Sequence, residues 1–187
     1  MPARLVALLL SLAGCAAWGD VGLSELRQGG YVLYMRHAST DFSQSDARMS
    51  GYDDCANQRN LTDKGRAEAR SIARHIRRLG IPIGEVLASP FCRTMKSARL
   101  AFGAARPTLE ARGGPMHDAE RYAALKKLMS APVGKGANRA IVGHGNPFYA
   151  LAGPPYLAEG EIAVLAPKGS GFEVLRRIRV EDWQALE

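Results

Sequence analysis

Residues 31–35 read Tyr-Val-Leu-Tyr-Met and end abruptly in Arg36-His37-Ala38-Ser39-Thr40. An apolar run without alternation is a strand covered on both faces, as in a parallel sheet flanked by helices. A cation and an imidazole at its carboxyl end sit where open α/β sheets place ligands. Two later stretches repeat the arrangement. Residues 85–88 lead into Ser89-Pro90-Phe91-Cys92-Arg93-Thr94, and residues 139–143 lead into His144-Gly145-Asn146-Pro147. Any fold for this chain must bring these three strand ends to one edge of a sheet.

Between the strands the spacing is helical. Ala69, Ile72, Ala73, Ile76 and Leu79 form one apolar stripe, which places a helix over 62–79, begun at Thr62 and stopped by Gly80 and Pro82. Ser89-Pro90 reads as a second helix start, with Ser89 as cap and Pro90 at the first helical position, and the helix runs to about residue 102. Shorter helices are expected over 23–28 behind Ser24, over 119–129 behind Asp118, and over 148–152. A short strand is expected near 108–109. Residues 162–165 and 172–178 flank Pro167-Lys168-Gly169-Ser170-Gly171 and read as an antiparallel hairpin. The expected fold is therefore α/β, a three-layer α/β/α sandwich with a mostly parallel sheet and an antiparallel edge. It forms one domain over 19–187. Residues 38–60 form a long loop, and loops of that length are usually functional or mobile; residues 103–118 are irregular and rich in Gly and Pro.

The amino terminus points to export. Arg4 precedes a uniform apolar run over 5–13, too short to span a bilayer and suited to the core of a signal peptide over 1–18. Leu12-Ala13-Gly14-Cys15 resembles a bacterial lipobox, which implies a lipidated Cys15 and attachment to a membrane. Ala17 is a competing cleavage point for ordinary secretion. The expected location is the periplasm, soluble or as an outer-membrane lipoprotein. Either cleavage leaves Cys55 and Cys92, and two cysteines in an oxidising compartment predict a disulfide. Such a bond would pin the 38–60 loop beside Arg93; two buried thiols are the alternative. The net charge of +7 favours anionic partners. Scattered arginines without a basic-aromatic motif argue against nucleic acid. No metal-ligand spacing is present.

Taken together, the strand ends resemble a known family. Arg36-His37-Ala38-Ser39-Thr40 resembles the Arg-His-Gly-x-Thr signature of the histidine phosphatase superfamily, the phosphoglycerate mutase-like family. Asn60-Leu61-Thr62-Asp63-Lys64-Gly65 is similar to its Leu-Thr-x-x-Gly helix start. Ser89-Pro90-Phe91-Cys92-Arg93-Thr94 is similar to its Ser-Pro-x-x-Arg-Thr motif, and Gly143-His144-Gly145-Asn146 to its second-histidine motif. The four occur in the family's order across about residues 31–150; Ala38 departs from the usual glycine.

The resemblance implies a phosphomonoester hydrolase in which His37 attacks phosphorus and forms a phosphohistidine. Arg36, Arg93 and His144 would clamp the phosphoryl oxygens, with Thr40 and Asn146 adding hydrogen bonds. No metal or other cofactor is implied. The family commonly supplies a general acid between its second arginine and second histidine. Asp118 is the first candidate here, and Glu110 and Glu161 are alternatives. The expected substrate is a small-molecule or envelope phosphomonoester, and the expected state is a monomer. The mature chain is short for a phosphoglycerate mutase or a large acid phosphatase, and a similar small exported branch acts on lipopolysaccharide core phosphates. The alternatives are a phosphohistidine-protein phosphatase and a catalytically silent phosphate-binding envelope module.

Overall fold

The computed structural model describes residues 22–186. The expected signal peptide over 1–18, with Cys15 and Ala17, lies outside the described residues. In chain order the elements are α1 (Leu23–Gln28), β1 (Val32–Arg36), α2 (Asp63–Arg78), β2 (Ile83–Ala88), α3 (Cys92–Phe102), β3 (Arg106–Pro107), α4 (Ala123–Ser130), β4 (Asn138–Gly143), α5 (Gly145–Ala152), β5 (Ile162–Pro167) and β6 (Phe172–Ile178). Short 3-10 turns cover Cys55–Asn57, Leu109–Ala111, Glu120–Tyr122 and Val180–Leu186.

The six strands form one sheet in the order β3-β2-β4-β1-β5-β6. β1, β2, β3 and β4 run parallel, and β5 and β6 join antiparallel. This is the mixed α/β sheet the sequence implied. β1 lies centrally, hydrogen-bonded to β4 on one side and β5 on the other, which is why its apolar run is uninterrupted. Alternate residues of β1 enter two cores. Leu33 and Met35 pack with Ile72 and Ile76 of α2 and with Met95 and Ala98 of α3. Val32 and Tyr34 pack with Leu125 and Met129 of α4 and with Phe148 of α5. Helices thus cover both faces.

Helix starts are where local reading and structure part. Thr62 caps α2 as expected, its Oγ1 accepting from the Gly65 N–H at 3.0 Å. Ser24 does not cap α1; Gly22 holds that position and the Ser24 hydroxyl donates to Glu25. Ser89 does not cap α3 either. Its N–H continues the ladder to Val142 O, and the helix begins at Cys92, whose N–H donates to the Gln58 side chain at 2.9 Å. A distant loop supplies the cap, so Ser89 is released for another partner. Asp118 accepts from the Arg121 N–H, but the turn it caps is 3-10 and α4 proper starts at Ala123. The expected strand at 108–109 forms at Arg106–Pro107 instead.

The start of α2 is pressed against the loop that follows His37. Thr62 donates to Ser39 O through both N–H and Oγ1. A Cβ on Gly65 would collide with Ser39 O, which is backbone and cannot swing aside. Gly65→Ala is expected to lose about 1–3 kcal/mol of stability, measured by urea unfolding. A wild-type midpoint in the variant would refute the close approach.

Candidate active site

β1 and β4 are parallel neighbours in register at Arg36 and Gly143, so the residues that follow them emerge side by side. The rings of His37 and His144 stand 5.5 Å apart, edge to face. The His37 backbone N–H donates to Gly143 O. Tyr34, fully buried three residues before His37, locks the second histidine. Its hydroxyl accepts from the His144 N–H at 3.1 Å and donates to His144 O at 2.9 Å. Gly143 permits this, because a Cβ there would collide with the Tyr34 hydroxyl. From the next strand end, Ser89 Oγ lies 2.9 Å from His144 Nε2.

The His37 tautomer follows from its partner. Nδ1 lies 3.0 Å from Ala38 O, and a carbonyl only accepts, so Nδ1 carries the proton and Nε2 keeps its lone pair. Burial, reinforced by the charges of Arg93, Arg36 and Arg59, pushes His37 down to about 3, although the bond to Ala38 O opposes the shift. Burial, then His37 and Arg93, holds His144 well below its ordinary range. Both imidazoles are neutral at neutral pH. Alanine at position 38 is accommodated because no residue other than glycine has a left-handed backbone among the described residues.

These groups meet at a cavity of about 130 Å³ lined by Arg36, His37, Arg59, His144, Asn146 and Tyr156, with glycines between them. The Nε atoms of Arg36, Arg59 and Arg93 are buried without a hydrogen-bond partner among the described residues. Arg36 and Arg93 are anchored through their terminal nitrogens. Arg36 donates to Leu157 O and Glu159, and Arg93 donates to Asp46 at 2.9 Å. Two cationic donors lining the cavity beside an unprotonated nitrogen, with a third arginine close by, can receive a tetrahedral oxyanion. A wider groove of about 770 Å³ runs along α3, but no histidine lines it.

The structure brings together Arg36, His37, His144 and Asn146 at the cavity. Arg93 does not line it, yet its charge acts on His37 more strongly than that of Arg36 or Arg59. Asp46 pairs with Arg93 and so offsets a cation at the start of α3, where the helix dipole disfavours positive charge. Thr40 is displaced from the expected phosphate role, since its Oγ1 and N–H both go to Glu159. None of the expected general acids lines the cavity. Asp118 caps a turn, Glu110 accepts from Thr108, and Glu161 is buried with Oε2 on the Ala158 N–H.

Three residues were missed. Arg59 stands directly before Asn60-Leu61-Thr62, and its position beside a recognised motif was a usable signal. Tyr156 lies over the Arg36 guanidinium at 5.2 Å and donates to Asn146. Glu159 sits two residues before Glu161 in the same short run; only the turn decides which carboxylate reaches Arg36.

Cys55 and Cys92 form the expected disulfide, with Cα atoms 5.7 Å apart. It ties the segment carrying Gln58 and Arg59 to the start of α3, where Arg93 follows. Gln58 reinforces the tie by accepting from Cys92 and donating to Gly51 O and Tyr52 O.

A family model described as the histidine phosphatase superfamily (branch 1) matches residues 32–114. No curated protein matches the chain by sequence. Among solved structures, the protein histidine phosphatase SixA complexed with tungstate is 18% identical with a TM-score of 0.56, covering 81% of this chain and 98% of its own. A phosphoserine phosphatase mutant from Entamoeba histolytica in complex with phosphoserine is 12% identical with a TM-score of 0.55, covering 79% and 95%. Bacillus stearothermophilus YhfR is 17% identical with a TM-score of 0.52, covering 77% and 94%. At these identities the likeness is one of fold.

Two outcomes follow from the geometry. Reducing the disulfide frees a loop closed over a sequence separation of 37 residues, worth about 4 kcal/mol by chain entropy. Cys92→Ser should lower the urea midpoint and weaken inorganic phosphate binding; unchanged phosphate binding would sever the loop from the site. The second concerns pH. Free imidazole takes up a proton near about 6.5, whereas folded His37 does so only near about 3. Between those values the unfolded chain binds a proton that the folded chain does not, so stability falls as pH falls below about 6.5. Unfolding midpoints at pH 7 and 5.5 should differ, and His37→Gln should reduce the difference. An equal difference in the variant would rule out the depressed His37.

Proposed function

The chain belongs to the histidine phosphatase superfamily, and from that premise we propose that it is an exported phosphohydrolase acting through a phosphohistidine on His37. One observation carries the reading. An unprotonated Nε2 stands in a cavity whose arginines hold buried N–H donors without acceptors. A phosphoryl group would satisfy those donors while presenting phosphorus to the nitrogen. Arg36 and Arg59 would hold the equatorial oxygens with His144, and Arg93 would add charge from beside the cavity. Donors fixed in advance cost no reorganisation as negative charge builds on those oxygens. The reaction needs no metal or other cofactor in this reading, because side chains supply the positive charge.

Export is supported by the leader-like run at 5–13 and by the disulfide, which persists in oxidising compartments. The substrate is then an envelope or periplasmic phosphomonoester. The cavity is small, about 130 Å³, so it grips the phosphate and leaves the leaving group outside.

A second reading has its own observation. No carboxylate lines the cavity among the described residues. An alkoxide leaving group needs a proton, whereas an imidazole leaving from phosphohistidine is a far weaker base. This favours phosphohistidine or aryl phosphates over alkyl phosphates, and one structural neighbour is named a protein histidine phosphatase.

The mature protein should hydrolyse p-nitrophenyl phosphate in the presence of EDTA, and rapid quenching should trap an acid-labile, base-stable phosphoenzyme. His37→Ala should lower the rate by about 10³-fold or more, as loss of a nucleophile does. Full activity in that variant would end the assignment. Comparing phosphoramidate, p-nitrophenyl phosphate and glycerol phosphate separates the two readings, since only an enzyme with its own acid cleaves the last at a similar rate.

A further inference from the structure

Glu159 has a place at the site that the reaction as described does not use. It lies in the turn before β5, and this turn is clamped to the end of β1. The Gly160 N–H is shared between Arg36 O at 3.2 Å and His37 O at 3.0 Å, and the Arg36 N–H donates to Glu161 O. Leu157 O accepts from Arg36 Nη1 at 2.9 Å. The Glu161 carboxylate closes the turn by accepting from the Ala158 N–H at 2.7 Å. Glu161, an expected general acid, is thus a brace for its neighbour.

The Glu159 carboxylate is held from several directions. Oε1 accepts from Thr40 Oγ1 at 2.7 Å and lies 3.4 Å from Arg36 Nη2, and Oε2 accepts from the Thr40 N–H at 3.2 Å. Oε1 also lies 3.8 Å from His37 Nδ1. That is the nitrogen opposite the one free to attack. The carboxylate is not part of the cavity lining, so it does not meet a leaving group.

We infer that Glu159 is a positioning residue for His37: it braces the segment on either side of His37 through Arg36 and Thr40, and its charge, 3.8 Å from Nδ1, stabilises the imidazolium formed when Nε2 is phosphorylated. This rests on His37 being the nucleophile. The Nε2 lone pair forms the bond to phosphorus as the bond to the leaving group breaks. The leaving group keeps that electron pair and takes a proton from water. The ring, still protonated at Nδ1, now bears a positive charge, and the Glu159 carboxylate lies 3.8 Å from that nitrogen. Water then attacks phosphorus, the P–Nε2 pair returns to the ring, the water proton passes to solvent, and phosphate leaves. An opposite charge at this distance commonly favours the charged form of a group by about 1–3 pKa units, so formation of the phosphoenzyme is the step that Glu159 assists.

The test uses the mature protein with p-nitrophenyl phosphate and rapid quenching. Glu159→Gln keeps the shape and removes the charge, and should slow phosphoenzyme formation by about tenfold or more. The inhibition constant of inorganic phosphate should stay within about twofold, because the cavity-lining donors are intact. Glu159→Asp should recover part of the rate, and it serves as the measured variant if the glutamine form does not fold. A glutamine variant that forms phosphoenzyme at the wild-type rate overturns the inference. So does one that loses phosphate binding and rate in parallel, which is the mark of a structural anchor alone. If the wild type itself forms no phosphoenzyme on His37, the underlying phosphohistidine reading fails and takes this one with it.

Discussion

The structure depends on concentrating positive charge beside a histidine that must stay neutral. Arg36, Arg59 and Arg93 act together on His37, and burial of the ring adds to their effect. Two carboxylates offset this charge. Asp46 takes Arg93 and Glu159 takes Arg36, each on donors that leave Nε unused. A buried donor without an acceptor is costly in a folded protein. Three of them, on arginines whose charges all act on His37, support the anion site proposed above. In that reading the field that disfavours a proton on His37 also attracts the phosphoryl group.

That arrangement needs rigid support, because guanidiniums on a mobile loop would drift toward water. The support is layered. Hydrogen bonds in register between β1 and β4 place the two histidines. Tyr34 then holds the His144 backbone from inside the core. The 38–60 loop has little regular structure of its own, and it is fixed by the disulfide, by Gln58 at the start of α3, and by Asp46 bridging the Arg59 N–H and the Arg93 side chain. Each tie lies within a few residues of an arginine that faces or influences His37. Stability and chemistry are therefore coupled through the loop.

The strands and the long helix were legible because their signals are periodic and local. The stripe from Ala69 to Leu79 is buried as its spacing implied, and the apolar run of β1 marked a central strand. The failures cluster at helix starts and carboxylates. Ser89 has every local mark of a cap, yet a loop glutamine over thirty residues away takes the role and Ser89 turns to His144. Asp118 was read as an acid or a cap, and in the structure it caps. Glu159 and Glu161 differ by two positions in one short run, and no periodicity distinguishes them. Glu161 is held by the Ala158 N–H of the turn itself, whereas Glu159 reaches across to Thr40 and Arg36.

By itself the sequence determined the kinds of groups that converge and the strand ends that carry them. An arginine and a histidine at one end, an arginine beyond a second, and a histidine at a third follow from hydrophobic runs that stop abruptly. Those runs are properties of neighbouring residues, so they survive without coordinates. Tertiary structure alone decided the tautomer of His37, the recruitment of Arg59, and the placing of Glu159 behind the ring. Each depends on one group lying within a few ångströms of another that is remote in sequence or turned by a single bend. Hydrogen bonds and charge pairs act over those distances, and sequence spacing does not measure them.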